Sequence, residues 1–275
     1  MTESDSSAVL SPAERRSFIS RKLFSLSGVV PIGAFFVMHL WTYSSALGGR
    51  HAFERAYEAE GHTPYRWLVA GLLIWLPLLF HGIYGVVLSF GARANLKSYP
   101  YARNFGYVLQ RLSGLVVLVF LGYHAWEYPL QIALGRLEQA DLFSKMCGSF
   151  SSTGPGGIPF IAVSYLIGIA AACYHLANGL TNFCFSWGIT STRRASRRVA
   201  GAMGLLAIGL FALGANSIIY FATGSRLVLA PSHDPGQAPP ITCQDLDAHP
   251  TARANMPTHA LLATHAEPPG ERGRP

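Results

Sequence analysis

The sequence predicts an all-α membrane protein with five transmembrane helices. Three observations lead to this class: half of the 275 residues are hydrophobic, only 13% are charged, and the apolar residues gather in five long runs. Soluble globular domains carry nearer a quarter charged residues. About 20 apolar residues at helical rise cross the roughly 30 Å of hydrocarbon in a bilayer. The five runs lie at 23–46, 67–91, 108–134, 158–187 and 199–224.

Residues 23–224 therefore form one membrane domain with a polar segment on either side. Residues 1–22 are an N-terminal arm without the apolar h-region of a cleavable signal peptide, and a short helix is expected after Ser11-Pro12. Residues 225–275 are rich in Pro, Ala and His and show no apolar period, which predicts a disordered C-terminal tail.

The basic residues predict the orientation of the helices. Twelve of the 21 Lys and Arg residues fall beside helix ends on one side of the membrane, whereas five fall in the loops on the other side. The positive-inside rule places the basic side and the N-terminus in the cytoplasm and the C-terminus outside. The net charge of +7 thus indicates membrane orientation and not nucleic-acid binding. The twelve are Arg15, Arg16, Arg21, Lys22, Arg93, Lys97, Arg103, Arg111, Arg193, Arg194, Arg197 and Arg198. Trp41, Trp67, Trp126 and Trp187 lie near predicted helix ends, as in an interfacial aromatic belt.

The four cysteines are scattered and include no C-x-x-C pair. This excludes an iron–sulfur cluster or a zinc site carried by this chain alone. Cys147, in the second outer loop at 135–157, and Cys243, in the tail, lie outside the predicted helices. They can form a disulfide if both face an oxidising compartment. Two unpaired thiols fit the sequence equally well.

Four of the ten histidines lie inside apolar runs, one in each of the first four: His39, His81, His124 and His175. A charged side chain at this depth costs about 2.5 kcal/mol or more, so ionisable residues there usually have a function. A single such histidine is more often a hydrogen-bonded structural residue, but four in four successive helices indicate ligands. The other six lie in loops or the tail, where solvation explains them: His51, His62, His233, His249, His259 and His265.

Helix direction sorts the four histidines into two pairs. His39 and His124 lie about 24 Å from the cytoplasmic ends of their helices, and His81 and His175 about 15–18 Å. Two facing imidazoles can bind a haem iron from both sides, which leaves no open position and favours electron transfer. Two imidazoles fall short of the four ligands of structural zinc. The first four helices are therefore predicted to form a di-haem bundle, with His39 and His124 on the outer haem iron and His81 and His175 on the inner.

Other residues near the predicted pairs fit a bulky planar cofactor. Gly28 leaves room near the inner level, although close helix packing explains a membrane glycine equally well. Arg21 and Arg111, at cytoplasmic helix ends, are predicted to meet haem propionates, and positive-inside anchoring explains them too. Pro31 and Pro77 are expected to kink their helices. Four more glycines have the same two explanations as Gly28: Gly82, Gly85, Gly114 and Gly179.

Four stretches of the sequence carry a resemblance to a known family; they lie at 21–40, 76–85, 103–127 and 175–190. Over about residues 15–224 the chain resembles the cytochrome b558 membrane anchor of succinate dehydrogenase, of the single-chain, two-haem type that also serves quinol:fumarate reductases. The family's ligands map onto His39 and His124 for the distal haem and onto His81 and His175 for the proximal haem. The long tail departs from the family's usual short end.

The resemblance implies a membrane anchor and cytochrome b subunit of a succinate:quinone oxidoreductase, respiratory complex II, in a bacterial cytoplasmic membrane. A flavoprotein subunit and an iron–sulfur subunit would dock on the cytoplasmic side. Electrons would pass from the iron–sulfur subunit through two haems b to a quinone, with menaquinone expected. The chain has no dinucleotide fingerprint and no cysteine cluster, so it cannot oxidise succinate alone. Association of complexes into a higher oligomer stays open.

Quinone chemistry at the outer face needs a group that exchanges protons. Glu58 and Glu60, in the outer loop at 47–66, are candidates for this catalytic role. A solvated, partly helical loop explains both carboxylates as surface residues as well.

Four other classes compete with this one. The same subunit in a quinol:fumarate reductase, working in the reverse direction, fits the sequence as well. Cytochromes b of a hydrogenase, a formate dehydrogenase or the bc complex usually place paired histidines on one helix, whereas each helix here has one. A transporter would line its pathway with charged groups that these runs lack, and a haem-free scaffold leaves the four histidines without a role.

Overall fold

Five long helices dominate the structure, a computed structural model that describes residues 11–61, 65–91, 101–227 and 242–248. Each is long and apolar enough to cross a membrane: α1 (Pro12–Gly48), α3 (Leu68–Phe90), α4 (Asn104–Ala133), α6 (Phe160–Ser186) and α7 (Arg193–Thr223). Three short helices accompany them: α2 (Arg50–Gly61), α5 (Leu142–Ser151) and α8 (Cys243–Ala248). No strand occurs in the described ranges. The predicted class, an all-α multi-pass membrane protein, is confirmed.

Two membrane helices begin at a capping residue well before their apolar runs. α1 begins at residue 12 and not 23, because Ser11 and Glu14 form a capping box: Ser11 Oγ accepts from the Glu14 amide at 3.3 Å, and Glu14 Oε2 accepts from the Ser11 amide at 2.9 Å. α7 begins at residue 193 and not 199, since Thr192 Oγ1 accepts from the Ala195 amide at 3.1 Å. The expected short helix in the N-terminal arm therefore runs directly into the first membrane helix.

Wide π-helical turns interrupt α1 and α3 at the two predicted kink sites. One spans Gly28–Gly33 around Pro31, and the other spans Gly71–Trp75, just before Pro77. Proline lacks an N–H, and its ring clashes with the carbonyl four residues earlier, so the hydrogen-bond ladder shifts locally. α4 is α-helical from residue 104 to Glu127 and α6 throughout, without a π turn.

The first four membrane helices surround one internal cavity. α1 packs against α3 and α6, and α4 packs against α3 and α6. α7 lies outside this ring, against α1 and α6. The arrangement is consistent with the predicted four-helix bundle plus a fifth helix. Trp41, Trp126 and Trp187 are exposed, whereas the Trp67 side chain lies outside the described part of the structure.

The most deeply buried side chains lie at one end of the bundle. Phe53 of α2, Phe143 and Phe150 of α5, and Phe221 of α7 are each 1% exposed, and their rings are in contact. We call this end, formed by α2, α5, α8 and the ends of the membrane helices that they cover, the cap. The opposite end, where α1 and α7 begin with clustered arginines, is the basic end. The expectation that 47–66 is partly helical is confirmed by α2, whereas α5 was not predicted.

Cys147 of α5 and Cys243 of α8 form a disulfide. The sequence left a disulfide and two unpaired thiols as alternatives, and the structure contains the disulfide. It joins part of the C-terminal tail to the cap. Disorder was predicted for residues 225–275, but most of this range, 228–241 and 249–275, lies outside the described residues. Residues 1–10 of the N-terminal arm lie outside them too.

Candidate functional site

The four membrane histidines meet in two pairs. The ring centroids of His39 and His124 are 5.7 Å apart with an interplanar angle of 87°. Those of His81 and His175 are 6.2 Å apart with an angle of 85°. The sequence predicted this pairing. We call His39 and His124 the cap-side pair, and His81 and His175 the basic-side pair. Because Gly28 lies against His81 and His39 follows eleven residues later, the two levels are about 16 Å apart along α1.

His81 is held by the backbone of α1. Its Nδ1 lies 3.1 Å from the Phe24 carbonyl oxygen and 3.4 Å from Ser27 Oγ. The Phe24 ring stacks on the imidazole at 4.3 Å. A β-carbon on Gly28 would lie 2.5 Å from His81 Cε1, so only glycine lets the ring come this close. With Nδ1–H donating to the carbonyl, Nε2 keeps its lone pair for a metal.

His175 is held by α4 in the same way. Its Nδ1 lies 3.0 Å from the Gln110 carbonyl oxygen and 3.2 Å from Ser113 Oγ. A β-carbon on Gly114 would lie 2.8 Å from His175 Cε1. The Gln110 side chain is fixed by Asn178, whose Nδ2 donates to Gln110 Oε1 at 2.7 Å. Both histidines of the basic-side pair therefore sit in the same cradle of carbonyl, serine and glycine.

The remaining predicted glycines do not lie against an imidazole. A β-carbon on Gly82, Gly85 or Gly179 would meet Leu118, Phe24 or Gln110 at 3.4–3.5 Å, an ordinary contact distance. All five glycines lie on the cavity wall, so the two explanations left open for them, room for a cofactor and close helix packing, both stay predictions.

Aromatic side chains surround the cap-side pair. The His39 ring lies 4.4 Å from Tyr43, and His124 Nδ1 is 3.2 Å from the Tyr165 hydroxyl. Tyr128, one turn after His124, has its ring 5.8 Å from the imidazole. Phenol rings thus position this pair, whereas main-chain carbonyls position the basic-side pair.

Both pairs lie on the wall of one cavity of about 2490 Å³. Pockets for drug-sized ligands measure about 300–1000 Å³, so this cavity has room for more than one large ligand. Its wall is formed by all four bundle helices and contains Gly28, Gly114 and Arg111.

The geometry of each pair fits a metal held between two imidazoles. An imidazole nitrogen lies about 2 Å from a bound metal, so two rings on opposite sides have centroids about 6 Å apart. Among the residues that the structure describes, no group of three or more His, Cys, Asp or Glu side chains comes together to hold a metal. A metal between two imidazoles needs further ligands, and the nitrogens of a porphyrin are one set that would supply them.

Arg111, which is predicted to meet a haem propionate, lies on the cavity wall. Its Nε and Nη1 atoms are buried without a hydrogen-bond partner among the described residues, and its guanidinium lies 3.5 Å from the centre of the Tyr107 ring. A carboxylate would stabilise these unpaired N–H groups, and the contact with a propionate stays a prediction. Arg21 is exposed on α1, and the described cavity wall does not include it. Arg193 and Arg197 of α7 lie on that wall, although the sequence indicated only their position at a helix end.

The predicted proton-exchanging carboxylates lie on α2. Glu58 is exposed there, and the Glu60 side chain lies outside the described part of the structure. A third carboxylate, Glu127, has a side chain only 11% exposed and follows His124 by three residues on α4. The sequence analysis did not select Glu127, although the i, i+3 spacing from a predicted ligand was visible.

Fold and site together define a class: a five-helix membrane protein whose first four helices place two facing histidine pairs in one cavity. Comparisons with known proteins identify the family. The family model described as the succinate dehydrogenase/fumarate reductase transmembrane subunit matches residues 96–214. The succinate dehydrogenase cytochrome b558 subunit of Bacillus subtilis (strain 168) is 32% identical over 206 residues, which are 75% of this chain and 98% of that protein. The chain belongs to the succinate dehydrogenase/fumarate reductase family of membrane anchor subunits.

Proposed function

We propose that this chain is the cytochrome b subunit of a succinate:quinone oxidoreductase, which carries two haems b and passes electrons from an iron–sulfur subunit to a quinone. The observation that carries the proposal is the presence of two facing histidine pairs, 5.7 and 6.2 Å between centroids, in one large cavity. The matching relative is named a cytochrome b558 subunit, which supports a b-type haem.

The residues of the chain bind and orient the cofactors. His39 and His124 would hold one haem, and His81 and His175 would hold the other; each haem would supply a one-electron carrier. The carbonyls of Phe24 and Gln110 fix the tautomer and direction of the basic-side imidazoles. Arg111 neutralises a propionate at the basic-side level, and Arg21 is proposed for a propionate near the surface.

The basic end is proposed to face the cytoplasm, where a flavoprotein and an iron–sulfur subunit dock. Clustered arginines at the starts of α1 and α7 support this orientation. The Cys147–Cys243 disulfide at the cap supports it independently, because disulfides persist on the oxidising side of a bacterial membrane. The same geometry serves a quinol:fumarate reductase, and the matching family description names both enzymes.

The experiment that tests the proposal is purification of the complex through a tag on this chain. A covalently bound flavin and an iron–sulfur subunit are expected to co-purify, and the preparation is expected to reduce a menaquinone analogue with succinate. A preparation that contains this chain with a hydrogenase or formate dehydrogenase subunit would contradict the proposal. The ratio of succinate oxidation to fumarate reduction on the same sample decides the preferred direction.

Quinone reduction takes up protons, and Glu58 and Glu60 are the candidates that the sequence offers for their transfer. Changing the relevant residue to Gln is expected to abolish quinone turnover and leave both haem spectra unchanged. Normal turnover in both Glu58→Gln and Glu60→Gln would remove these two candidates.

A further inference from the structure

Ser27 of α1 shares a hydrogen-bond acceptor with the His81 imidazole. Its hydroxyl donates to the Phe24 carbonyl oxygen at 2.9 Å, and His81 Nδ1 lies 3.1 Å from the same oxygen. The Gly28 amide is also directed at that oxygen, as the helical ladder requires. A carbonyl oxygen has two lone pairs, so three donors compete for two positions. The hydrogen bond of the imidazole is therefore weaker than it would be without the serine hydroxyl.

Ser113 of α4 repeats this arrangement at the other imidazole of the basic-side pair. Its hydroxyl donates to the Gln110 carbonyl oxygen at 3.1 Å, and His175 Nδ1 lies 3.0 Å from that oxygen. Both residues lie inside an α-helix, whose ladder directs the Gly114 amide at the same carbonyl. Ser113 is buried, so bulk water has little access to this group of donors. The two serines also have the same neighbours in sequence, a leucine before and a glycine after.

A simpler explanation of both serines is that the hydroxyl satisfies itself. Serine in a helix commonly donates to a carbonyl three or four residues earlier. Ser164 of α6 is an example, since its hydroxyl donates to the Ile161 carbonyl oxygen at 2.8 Å. Among the described residues no imidazole is hydrogen-bonded to that carbonyl. Ser164 therefore has the same bond within its own helix as Ser27 and Ser113 but lacks the shared acceptor.

The shared acceptor matters because the N–H bond of an imidazole controls how strongly the ring donates electrons to a metal. A good acceptor on that N–H raises the basicity of the ligand. A more basic ligand stabilises ferric over ferrous iron, and hydrogen bonding around the ligands is one of the means by which a protein sets a haem potential. A hydroxyl that occupies part of the carbonyl keeps the imidazole the weaker donor.

We propose that Ser27 and Ser113 raise the midpoint potential of the haem that the basic-side pair would hold, by sharing the carbonyl acceptors of its imidazoles. The proposal rests on the proposed function. Both serines are positioning residues, since they act through the imidazoles and not on the iron. At the cap-side pair a phenol takes the corresponding place, with the Tyr165 hydroxyl 3.2 Å from His124 Nδ1. The serines therefore act on one of the two haems.

The other neighbours of the two basic-side imidazoles differ from each other. The Phe24 ring stacks on His81. The Gln110 side chain lies beside His175, where its Nε2 donates to the His175 carbonyl oxygen at 3.2 Å. An amide nitrogen is a donor and cannot accept the imidazole proton. Only the serine and the shared carbonyl are common to both sides, so alanine at either serine should change the potential in the same direction.

The test compares Ser27→Ala, Ser113→Ala and the double variant in the whole complex, with Ser164→Ala as the matched control. Redox titration followed at the haem absorbance gives the midpoint potential of each haem. Each single variant should shift the equilibrium about threefold towards ferric haem at the basic-side pair, which is about 28 mV when tenfold corresponds to about 59 mV. The double variant should shift it about tenfold. The cap-side potential should not change, and Ser164→Ala should match the unmodified complex.

Threonine variants separate the hydroxyl from the size of the side chain. Ser27→Thr and Ser113→Thr keep a hydroxyl that can donate to the same carbonyl, so both should have the potential of the unmodified complex. Threonine variants with the lowered potential of the alanine variants would overturn the proposal, because the hydroxyl would then not be the cause.

An unchanged or raised basic-side potential in either Ser27→Ala or Ser113→Ala would also overturn the proposal, as would an equal fall in Ser164→Ala. Loss of the basic-side haem from both alanine variants would overturn it too, because the serines would then be needed for haem binding itself. An unmodified complex without haem would contradict the proposed function. Two haems whose potentials do not respond to the serines would contradict this proposal alone.

Discussion

The two histidine pairs share a cavity but are held by different means. On the basic side, both imidazoles rest in a cradle of carbonyl, serine and glycine, repeated on α1 and α4. On the cap side, Tyr43 and Tyr165 contact the imidazoles, with Glu127 and a surface pocket nearby. The basic-side pair is thus fixed by the main chain near Arg111 of α4, whereas the cap-side pair lies among phenol rings. Under the proposed function, electrons would enter at the basic-side pair and quinone chemistry would take place near the cap-side pair.

Replacing one histidine of each pair is expected to have the largest effect and to separate the two sites. His175→Ala should remove the basic-side haem and His124→Ala the cap-side haem, each lowering the haem content by about half, because one imidazole does not hold a haem in a six-coordinate site. Haem content and redox titration of the purified complex measure this. His51→Ala, on α2 outside the bundle, is the control and should keep all haem. Unchanged haem content in both His175→Ala and His124→Ala would contradict the interpretation of this chain as a cytochrome.

Glycine substitution tests the cradle, which is a feature of the basic-side pair alone. In Gly114→Ala the new methyl group would lie 2.8 Å from His175 Cε1, so the imidazole must move and the basic-side haem should be lost or weakened. Gly209→Ala, in membrane helix α7, has open space around the β-carbon and does not lie on the described cavity wall, so it is the matched control. Spectra that separate the two haems provide the measurement. Equal basic-side haem content in the two variants would contradict the claim that glycine makes room for the His175 imidazole.

Arg111 should make the basic-side haem easier to reduce, since a buried cation stabilises the less positive ferrous form. Arg111→Leu is expected to lower the midpoint potential of that haem by about 50 mV, close to the 59 mV of a tenfold change in a one-electron equilibrium. The cap-side potential should hardly change. Arg21→Leu is the comparison variant, and an equal shift there would show that the exposed arginine also pairs with a propionate. No shift in either variant would refute both assignments.

Loss of the disulfide should destabilise the cap most and the basic-side pair least. Cys147→Ser removes a bond between residues 96 apart in sequence and is expected to lower stability by about 2–4 kcal/mol. Thermal unfolding of the complex is the measurement, with Cys184→Ser, a free cysteine, as control. The cap-side haem should be lost before the basic-side haem on heating. Simultaneous loss at an unchanged temperature would show that the cap does not protect its pair.

The membrane helices and the pairing of the histidines were predictable because lipid imposes a simple rule on the sequence. Apolar runs and helix direction place His39 with His124 and His81 with His175 without knowledge of any contact. The early start of α1 could also be predicted from the sequence, since Ser11 and Glu14 have the spacing of a capping box. α5 was overlooked although its buried residues Leu142, Met146 and Phe150 follow a helical period.

Features that depend on long-range approach were not predictable. Glu127 looks like a helix-end carboxylate until α5 brings Lys145 against it. The disulfide required Cys147 and Cys243 to meet across the cap, and the sequence left two alternatives. Likewise, only the folded structure shows that an imidazole lies against Gly28 and Gly114 and that none lies against Gly82 or Gly179.

The number of haems bound per chain tests the central claim most directly. A purified complex, assayed for haem b and for this chain and then titrated electrochemically, should contain two haems per chain that reduce in two separate one-electron steps. One haem per chain, or none, would contradict the assignment of a cofactor to each histidine pair.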